Sequence, residues 1–394
     1  MTLIASTLNY KMPFLISDLL WSSEFSDKSV KFPTNIFDPS PYLPNDHQDK
    51  PIKLGQKMYI INDKVCIIFA GINDEIIIFL TLFKDKFQSY DNISKDDIHE
   101  FLKAYKLENN YKESAFFITH IENLSNGAIN VNQFYCPSIT NEVDSSNFNI
   151  EEGSWNIMHD KMFETVSALG SGTEGFLNII KQNGTLRTQF EKGDFMSAVQ
   201  ANTTLIAQIL TLERVALYTL KENWGGGFET AYYNGNRFEK ISEIAYLISH
   251  GQFNSSGEIG IPIPMLIMYY KYINDILYIV SLEVNKYAIQ ETEMSITFTS
   301  FAGEFYTTIY EVEGIDLENI YDFELPSDFS FNTNKVSIGY ALVTSKNTIF
   351  NPAFFNLGPE VNINFLQGKI IEVKIDKKIM ADIRGAAREA FSNL

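Results

Sequence analysis

Thr2–Asp18 reads TLIASTLNYKMPFLISD. Two apolar runs, Thr2–Leu8 and Met12–Ser17, flank Asn9-Tyr10-Lys11, the pattern of a tight β-hairpin. Strand residues pair symmetrically about a turn. A turn centred on Tyr10 sets Asp18 opposite Thr2 at the hairpin's open end. Lys57–Gly71, KMYIINDKVCIIFAG, has the same form, with Lys57–Ile61 and Val65–Ala70 on either side of Asn62-Asp63-Lys64. A turn centred on Lys64 sets Gly71 opposite Lys57. Side by side, the two hairpins bring Thr2, Asp18, Lys57 and Gly71 together.

These four residues suit nucleophilic catalysis. Removal of Met1 leaves Thr2 with a free α-amine, and threonine is small enough for that trimming. A terminal threonine carries a hydroxyl nucleophile and, in its α-amino group, a base that titrates at about pH 8. A lysine ammonium beside it favours the neutral amine and an alkoxide-like transition state. Asp18 is the counter-ion that holds Lys57, and the Gly71 N–H is the donor for a developing oxyanion.

Working outward, Ser22–Lys53 is polar and holds Pro33, Pro39, Pro41, Pro44 and Pro51, so it reads as a long loop. A helix is expected over Asp74–Tyr90, where Ile77, Leu80, Phe83 and Phe87 recur at helical spacing. Another starts at Ser94, with Asp97 completing a capping-box-like pair and Ile98, Phe101, Leu102 and Tyr105 facing inward. Ala115–Glu122 and Ala128–Cys136 read as strands around Ser125-Asn126-Gly127. Phe163–Leu169 reads as a strand ended by Gly170-Ser171-Gly172. Thr173–Gln182 and Phe195–Glu222 read as helices, the second broken by Gly225-Gly226-Gly227, and Phe228–Tyr233 and Phe238–Ile248 as strands. This order predicts an α+β chain with two sheets packed between helical layers. Beyond the linker Gln252–Pro264 come strand-like runs at Met265–Tyr272, Ile276–Val284, Ser295–Phe301, Phe305–Val312, Lys335–Thr344 and Lys369–Ile375, then a helix at Lys377–Phe391. The expected division is residues 1–250 and a smaller β-rich domain, 251–394.

Four segments carry a resemblance: Thr2–Asp18, Lys57–Gly71, ALGSGTEGF (Ala168–Phe176) and WGGGFETAYY (Trp224–Tyr233). Together they resemble the proteasome β-subunit-like N-terminal-nucleophile (Ntn) hydrolases, over about residues 2–250. The resemblance implies a four-layer αββα sandwich with Thr2 as nucleophile. Asp18 and Lys57 take the family's acidic and basic positions, Gly71 closes its Ala-Gly strand end, and Ser171 is the site serine. Two supporting positions depart from the family: Glu222 stands where Asp is usual and Gly225 where Ser is usual. By the same carry-over, Trp21, Ser22, Phe69 and Asn73 line the pocket for the residue before the cut. The implied activity is a threonine peptidase acting on peptides or unfolded protein inside a ring or stacked homo-oligomer, without a cofactor. Nothing in the sequence identifies an ATPase partner. Two other functions fit the same residues. One is a non-catalytic proteasome-like assembly or binding protein, which Glu222 and Gly225 favour. The other is an amidase that turns the same nucleophile on a small molecule.

Composition narrows the classes further. The 394 residues are 45% hydrophobic, 14% aromatic and 20% charged, a folded rather than a disordered chain. A formal charge of −18 repels nucleic-acid phosphate and argues against DNA or RNA binding. Cys66 and Cys136 make no disulfide framework and fit a reducing compartment. The apolar runs fall short of the roughly 20 residues that span a bilayer. The N-terminus lacks the basic region of a signal peptide. A soluble, cytoplasmic protein is expected. The five histidines show no metal-ligand spacing, so no metal is expected.

Overall fold

A computed structural model describes residues 2–9, 12–23, 30–35, 50–90, 93–108, 114–123, 129–136, 144–146, 156–158, 165–182, 195–251, 263–290, 298–313, 320–321, 326–327, 329–331, 333, 335–343, 349–350, 353–358, 361–365 and 370–392. Met1, the turn residues Tyr10 and Lys11, the turn Ser125-Asn126-Gly127, most of the proline-rich loop and linker residues 252–262 lie outside the described residues. The protein is a mixed α+β chain. Its described strands form a six-stranded, a five-stranded and a ten-stranded sheet and a two-stranded ribbon.

The first hairpin, Ile4–Asn9 with Met12–Asp18, belongs to the six-stranded sheet. Asn9 faces Met12 and Ile4 faces Ser17. The register therefore differs from the expected one by a single residue. Asp18 lies opposite Leu3, whose carbonyl accepts its N–H at 3.0 Å. The second hairpin, Met58–Asn62 with Val65–Ala70, is in the five-stranded sheet. Its turn is Asp63-Lys64, closed by the Lys64 N–H on Asn62 Oδ1 at 2.9 Å. With a register shift between Ile60 and Asn62, Lys57 comes to lie opposite Phe69, which donates its N–H to the Lys57 carbonyl at 3.1 Å. Gly71 is two residues further on, not across from Lys57.

Both faces of the strand Val65–Ala70 are buried, which explains its unbroken apolar run. Val65, Ile67 and Phe69 pack against the helices Asn73–Phe87 and Lys95–Glu108. Cys66, Ile68 and Ala70 pack against Ile4, Leu15, Ala231 and Tyr233 of the six-stranded sheet. The helix from Lys95 starts as its capping pair predicts: Ser94 Oγ accepts the Asp97 N–H at 3.2 Å and Asp97 Oδ2 accepts the Ser94 N–H at 2.9 Å. Ile98, Phe101, Leu102 and Tyr105 are buried.

The opposite face of the six-stranded sheet packs on the helices Thr173–Gln182 and Phe195–Ala216. The long helix ends earlier than the glycine run implies. Leu217 adopts a left-handed φ of 52°, and a short helix, Tyr218–Lys221, follows before the glycines.

The ten-stranded sheet takes in strands on both sides of residue 250. Phe238–Ile248 is not one strand. Phe238–Lys240 stays in the six-stranded sheet, while Ile244–Gly251 runs antiparallel to Ile263–Ile273 and parallel to Lys335–Val343 in the ten-stranded one. The crossing is at Glu243, whose φ is 56°. Ser295–Phe301 and Phe305–Val312, expected as separate strands, form one strand, Phe298–Val312. Ile244, Tyr246 and Ile248 face the helix Phe195–Ala216, and Ala245 and Leu247 face the helix Lys377–Ser392. The helix Phe195–Ala216 is thus covered by a sheet on each side. This accounts for its lack of charge from Phe195 to Leu212: Asn202, Thr203, Thr204, Gln208 and Thr211 are neutral and buried.

Part of the proline-rich stretch is pinned in this core. Val30, Phe32 and Thr34 are buried. The Tyr310 hydroxyl donates to the Phe32 carbonyl at 2.9 Å and Ser281 Oγ to the Pro33 carbonyl at 2.8 Å. Among the described residues no helix is long and apolar enough to cross a membrane.

Candidate functional site

Thr2, Asp18 and Lys57 meet in the interior. Thr2 is 5% exposed, Asp18 0% and Lys57 1%, so whatever links them is shielded from bulk water. Lys57 Nζ donates to Thr2 Oγ1 at 2.5 Å and to Asp18 Oδ1 at 2.6 Å, and its third acceptor is the Leu20 carbonyl. An ammonium has three donors, and all three are used. Thr2 Oγ1 in turn donates to Asp18 Oδ1 at 2.5 Å. Asp18 Oδ1 also accepts the Leu3 N–H at 3.0 Å, and Oδ2 accepts the Gly225 N–H at 2.9 Å. Burial pulls the Lys57 pKa below the ordinary lysine range, against the opposing pull of Asp18 and Glu229. A lysine so placed is easier to deprotonate than a surface one, while its proton remains directed at the Thr2 hydroxyl.

The loop after Thr165–Leu169 holds the threonine main chain. The Gly172 N–H and Ser171 Oγ approach the Thr2 carbonyl at 3.4 Å and 3.5 Å. Gly170 has φ 102°, and a Cβ added there would stand 1.9 Å from the Thr2 carbonyl oxygen. Gly170→Ala is expected to lower stability by about 1–3 kcal/mol and to displace Thr2. Thermal melts read the first effect, and the rate of covalent labelling at Thr2 reads the second.

Of the remaining sequence candidates, Gly71 is exposed, with φ 124°, at the end of Val65–Ala70. Glu222 turns elsewhere: its carboxylate accepts the Trp224 indole N–H at 3.0 Å. Gly225 serves through its main chain, giving its N–H to Asp18 while its carbonyl accepts the Leu20 N–H at 3.0 Å. Trp21 is buried, with its ring 5.3 Å from Lys57 Nζ and 5.7 Å from Lys53 Nζ. Phe69 is a core side chain, fully buried beside the helix Asn73–Phe87 and stacked on Tyr59 at 5.8 Å. Ser22 and Asn73 are half-buried.

Two buried carboxylates behind the site escaped the sequence reading. Glu229 Oε2 accepts the Lys57 N–H at 2.5 Å, and Oε1 accepts Lys240 Nζ at 2.8 Å. Glu213 accepts hydroxyl protons from Thr34 and Thr219, and the Gly226 N–H at 3.1 Å. Adjacent amides of one glycine turn are therefore divided between Asp18 and Glu213. Burial, reinforced by Asp18, pushes the Glu213 pKa up to about 7 from 4.5. Because the folded value lies above the unfolded one, its contribution to stability is complete below pH 4.5 and is lost as pH rises through about 7. Glu213→Gln, whose amide is neutral throughout, is expected to remove this component. The unfolding free energies of the two forms should diverge in the variant's favour between pH 4.5 and 8, by on the order of 3 kcal/mol, with melting temperatures following. Parallel melting curves would show that Glu213 does not titrate there.

Among the described residues no group of three or more His, Cys, Asp or Glu side chains is arranged to hold a metal ion. Neither a protein-family model nor a curated protein matches the chain.

Proposed function

We propose that this chain is a proteasome β-subunit-like threonine peptidase, with the clusters flanking the six- and five-stranded sheets forming the layers of an αββα Ntn sandwich. The observation that carries the reading is the 2.5 Å contact of Lys57 Nζ with Thr2 Oγ1, inside a buried triad with Asp18. A buried threonine two residues before the strand Ile4–Asn9, hydrogen-bonded to both a cation and a carboxylate, suits a nucleophile better than a core packing residue.

The steps are those of acyl transfer. After loss of Met1, the Thr2 α-amine takes the hydroxyl proton as Oγ attacks the substrate carbonyl carbon. Lys57 offsets the charge that builds on Oγ, and the Gly71 N–H receives the oxyanion. Collapse expels the amine half, which takes the proton from the Thr2 amine and leaves an ester on Thr2. Water activated by the freed α-amine hydrolyses that ester. Asp18 takes no proton; it holds the ammonium against the hydroxyl.

The proposed substrates are peptides or unfolded protein, and the proposed setting is a cytoplasmic homo-oligomeric ring or stack with no cofactor. The test is intact-mass spectrometry of the purified protein before and after a β-lactone. Loss of one methionine and an adduct mapped to Thr2 support the reading. Retention of Met1 with no adduct refutes it and favours the non-catalytic assembly protein, in keeping with Glu222 at the departing position. A peptide library against small amides then separates peptidase from small-molecule amidase, and electron microscopy of the particle tests the ring.

A further inference from the structure

Lys57 is fixed by more than its ammonium contacts. The preceding residue, Gln56, is 4% exposed and spends its whole side chain on hydrogen bonds. Nε2 donates to two main-chain carbonyls at one end of the ten-stranded sheet, Asp275 in the turn between Ile263–Ile273 and Ile276–Gln290 at 2.7 Å and Val312 at the end of Phe298–Val312 at 2.8 Å. Oε1 accepts Lys240 Nζ at 2.6 Å, and the Gln56 N–H donates to the Glu313 carbonyl at 3.0 Å. Lys240 Nζ also donates to Glu229, the acceptor of the Lys57 N–H. The Tyr272 hydroxyl, on Ile263–Ile273, donates to the same Glu229 oxygen as Lys240, at 3.2 Å. Gln56 is therefore bonded directly to the ten-stranded sheet and its turns, whereas the Lys57 N–H reaches that sheet only through Glu229 of the six-stranded sheet, and the Lys57 carbonyl accepts the Phe69 N–H of the five-stranded one.

We propose that Gln56 is a positioning residue through which the C-terminal ten-stranded sheet sets the Lys57 ammonium against Thr2. A lysine side chain has four rotatable bonds, so aiming it at three acceptors at once requires an anchored Cα and a packed stem. Reactive groups must be held to within about 0.5 Å, and a neighbour clamped to two strand-end carbonyls supplies that constraint. The C-terminal sheet is then part of the site's construction. The catalytic meaning of this inference rests on the threonine-peptidase reading; its structural content does not.

The test uses Gln56→Met, near-isosteric and without donors, in full-length protein carrying 15N-labelled lysine. The Lys57 resonance is the one lost in Lys57→Met. The charged groups facing Lys57 are Asp18 and Glu229, with Lys53 across the Trp21 ring and Lys240 beyond Glu229. Burial places the wild-type Lys57 pKa below the ordinary lysine range, against the opposing pull of Asp18 and Glu229. In Gln56→Met its titration is expected to move further below that range, because a misaimed ammonium stays buried while losing contact with Asp18. The rate of β-lactone adduct formation at Thr2 is expected to fall by about 10–100-fold. Ile338→Val, a core change on the far face of the ten-stranded sheet, is the control for mere loss of stability and should move neither readout. If Gln56→Met does not fold, Gln56→Asn, which keeps the amide one methylene short, should give an intermediate titration shift. An unchanged Lys57 titration in the folded variant, or an equal shift in Ile338→Val, overturns the proposal. A shifted titration in a protein whose wild type forms no Thr2 adduct leaves the positioning intact and refutes the peptidase reading instead.

Discussion

Thr2→Ala is expected to abolish peptide turnover and β-lactone labelling while the fold persists. Removing the nucleophile of a covalent mechanism costs on the order of 10⁶ in rate, because the bond that carries the reaction has no other donor. The structural loss is small by comparison. Lys57 and Asp18 remain paired at 2.6 Å, and Lys57 keeps the Leu20 carbonyl. Asp18 keeps the Leu3 and Gly225 amides. Loss of one hydroxyl from that network should cost about 1 kcal/mol. Thr2→Ser, which retains an oxygen at the same place, should keep measurable activity. Full activity in Thr2→Ala would remove Thr2 from the mechanism.

Lys57→Met is expected to lose both activity and stability, and the two losses are separable. Without the ammonium, Asp18 is a fully buried carboxylate whose cation is gone, a change worth about 3–5 kcal/mol. The rate of Thr2 acylation should fall by about 10²–10³ or more, as for loss of an electrostatic stabiliser aimed at developing charge. Adding Asp18→Asn removes the orphaned charge while keeping an acceptor for the Leu3 N–H. The double variant should regain most of the stability and none of the activity. Chemical denaturation and labelling kinetics on the same preparations check this. Recovery of activity along with stability would mean that Lys57 only holds the fold.

Much of this site was legible because it rests on two tight hairpins. Their strands, the capped helix at Ser94, and the convergence of Thr2, Asp18 and Lys57 all follow from apolar patterning and short-range turn chemistry. The registers were not legible to the last residue. The pairing of Asn9 with Met12 and a register shift between Ile60 and Asn62 depend on local backbone geometry, which residue identity alone does not fix. The convergence survived because long side chains bridge a slip of one residue, whereas Gly71, which has no side chain, did not stay opposite Lys57. The expectation of one strand over Phe238–Ile248 failed for a different reason. Ile244–Gly251 is apolar on both faces, and such a strand fits either sheet equally well by pattern. Glu213 left a faint signal, as the first charge after an uncharged run from Phe195 to Leu212, which marks a helix with no solvent face. Gln56 left none, because its partners are main-chain carbonyls more than 200 residues away in the chain.

The helix Phe195–Ala216 has a consequence for how this chain can be cut or inherited. With sheets on both sides, its residues 201–211 are all buried. A fragment ending near residue 250 would uncover the side of this helix where Ser337 Oγ donates to the Thr203 carbonyl at 3.1 Å and Gly339 lies against Ala207 and Thr211, and would leave Ile244–Gly251 as an unpaired, aggregation-prone edge. Deleting the last third in one step is therefore expected to give an insoluble product. Reversal would first require a new cover for that edge strand. The extension is held in place by the strand Ile244–Gly251, which it pairs on both sides.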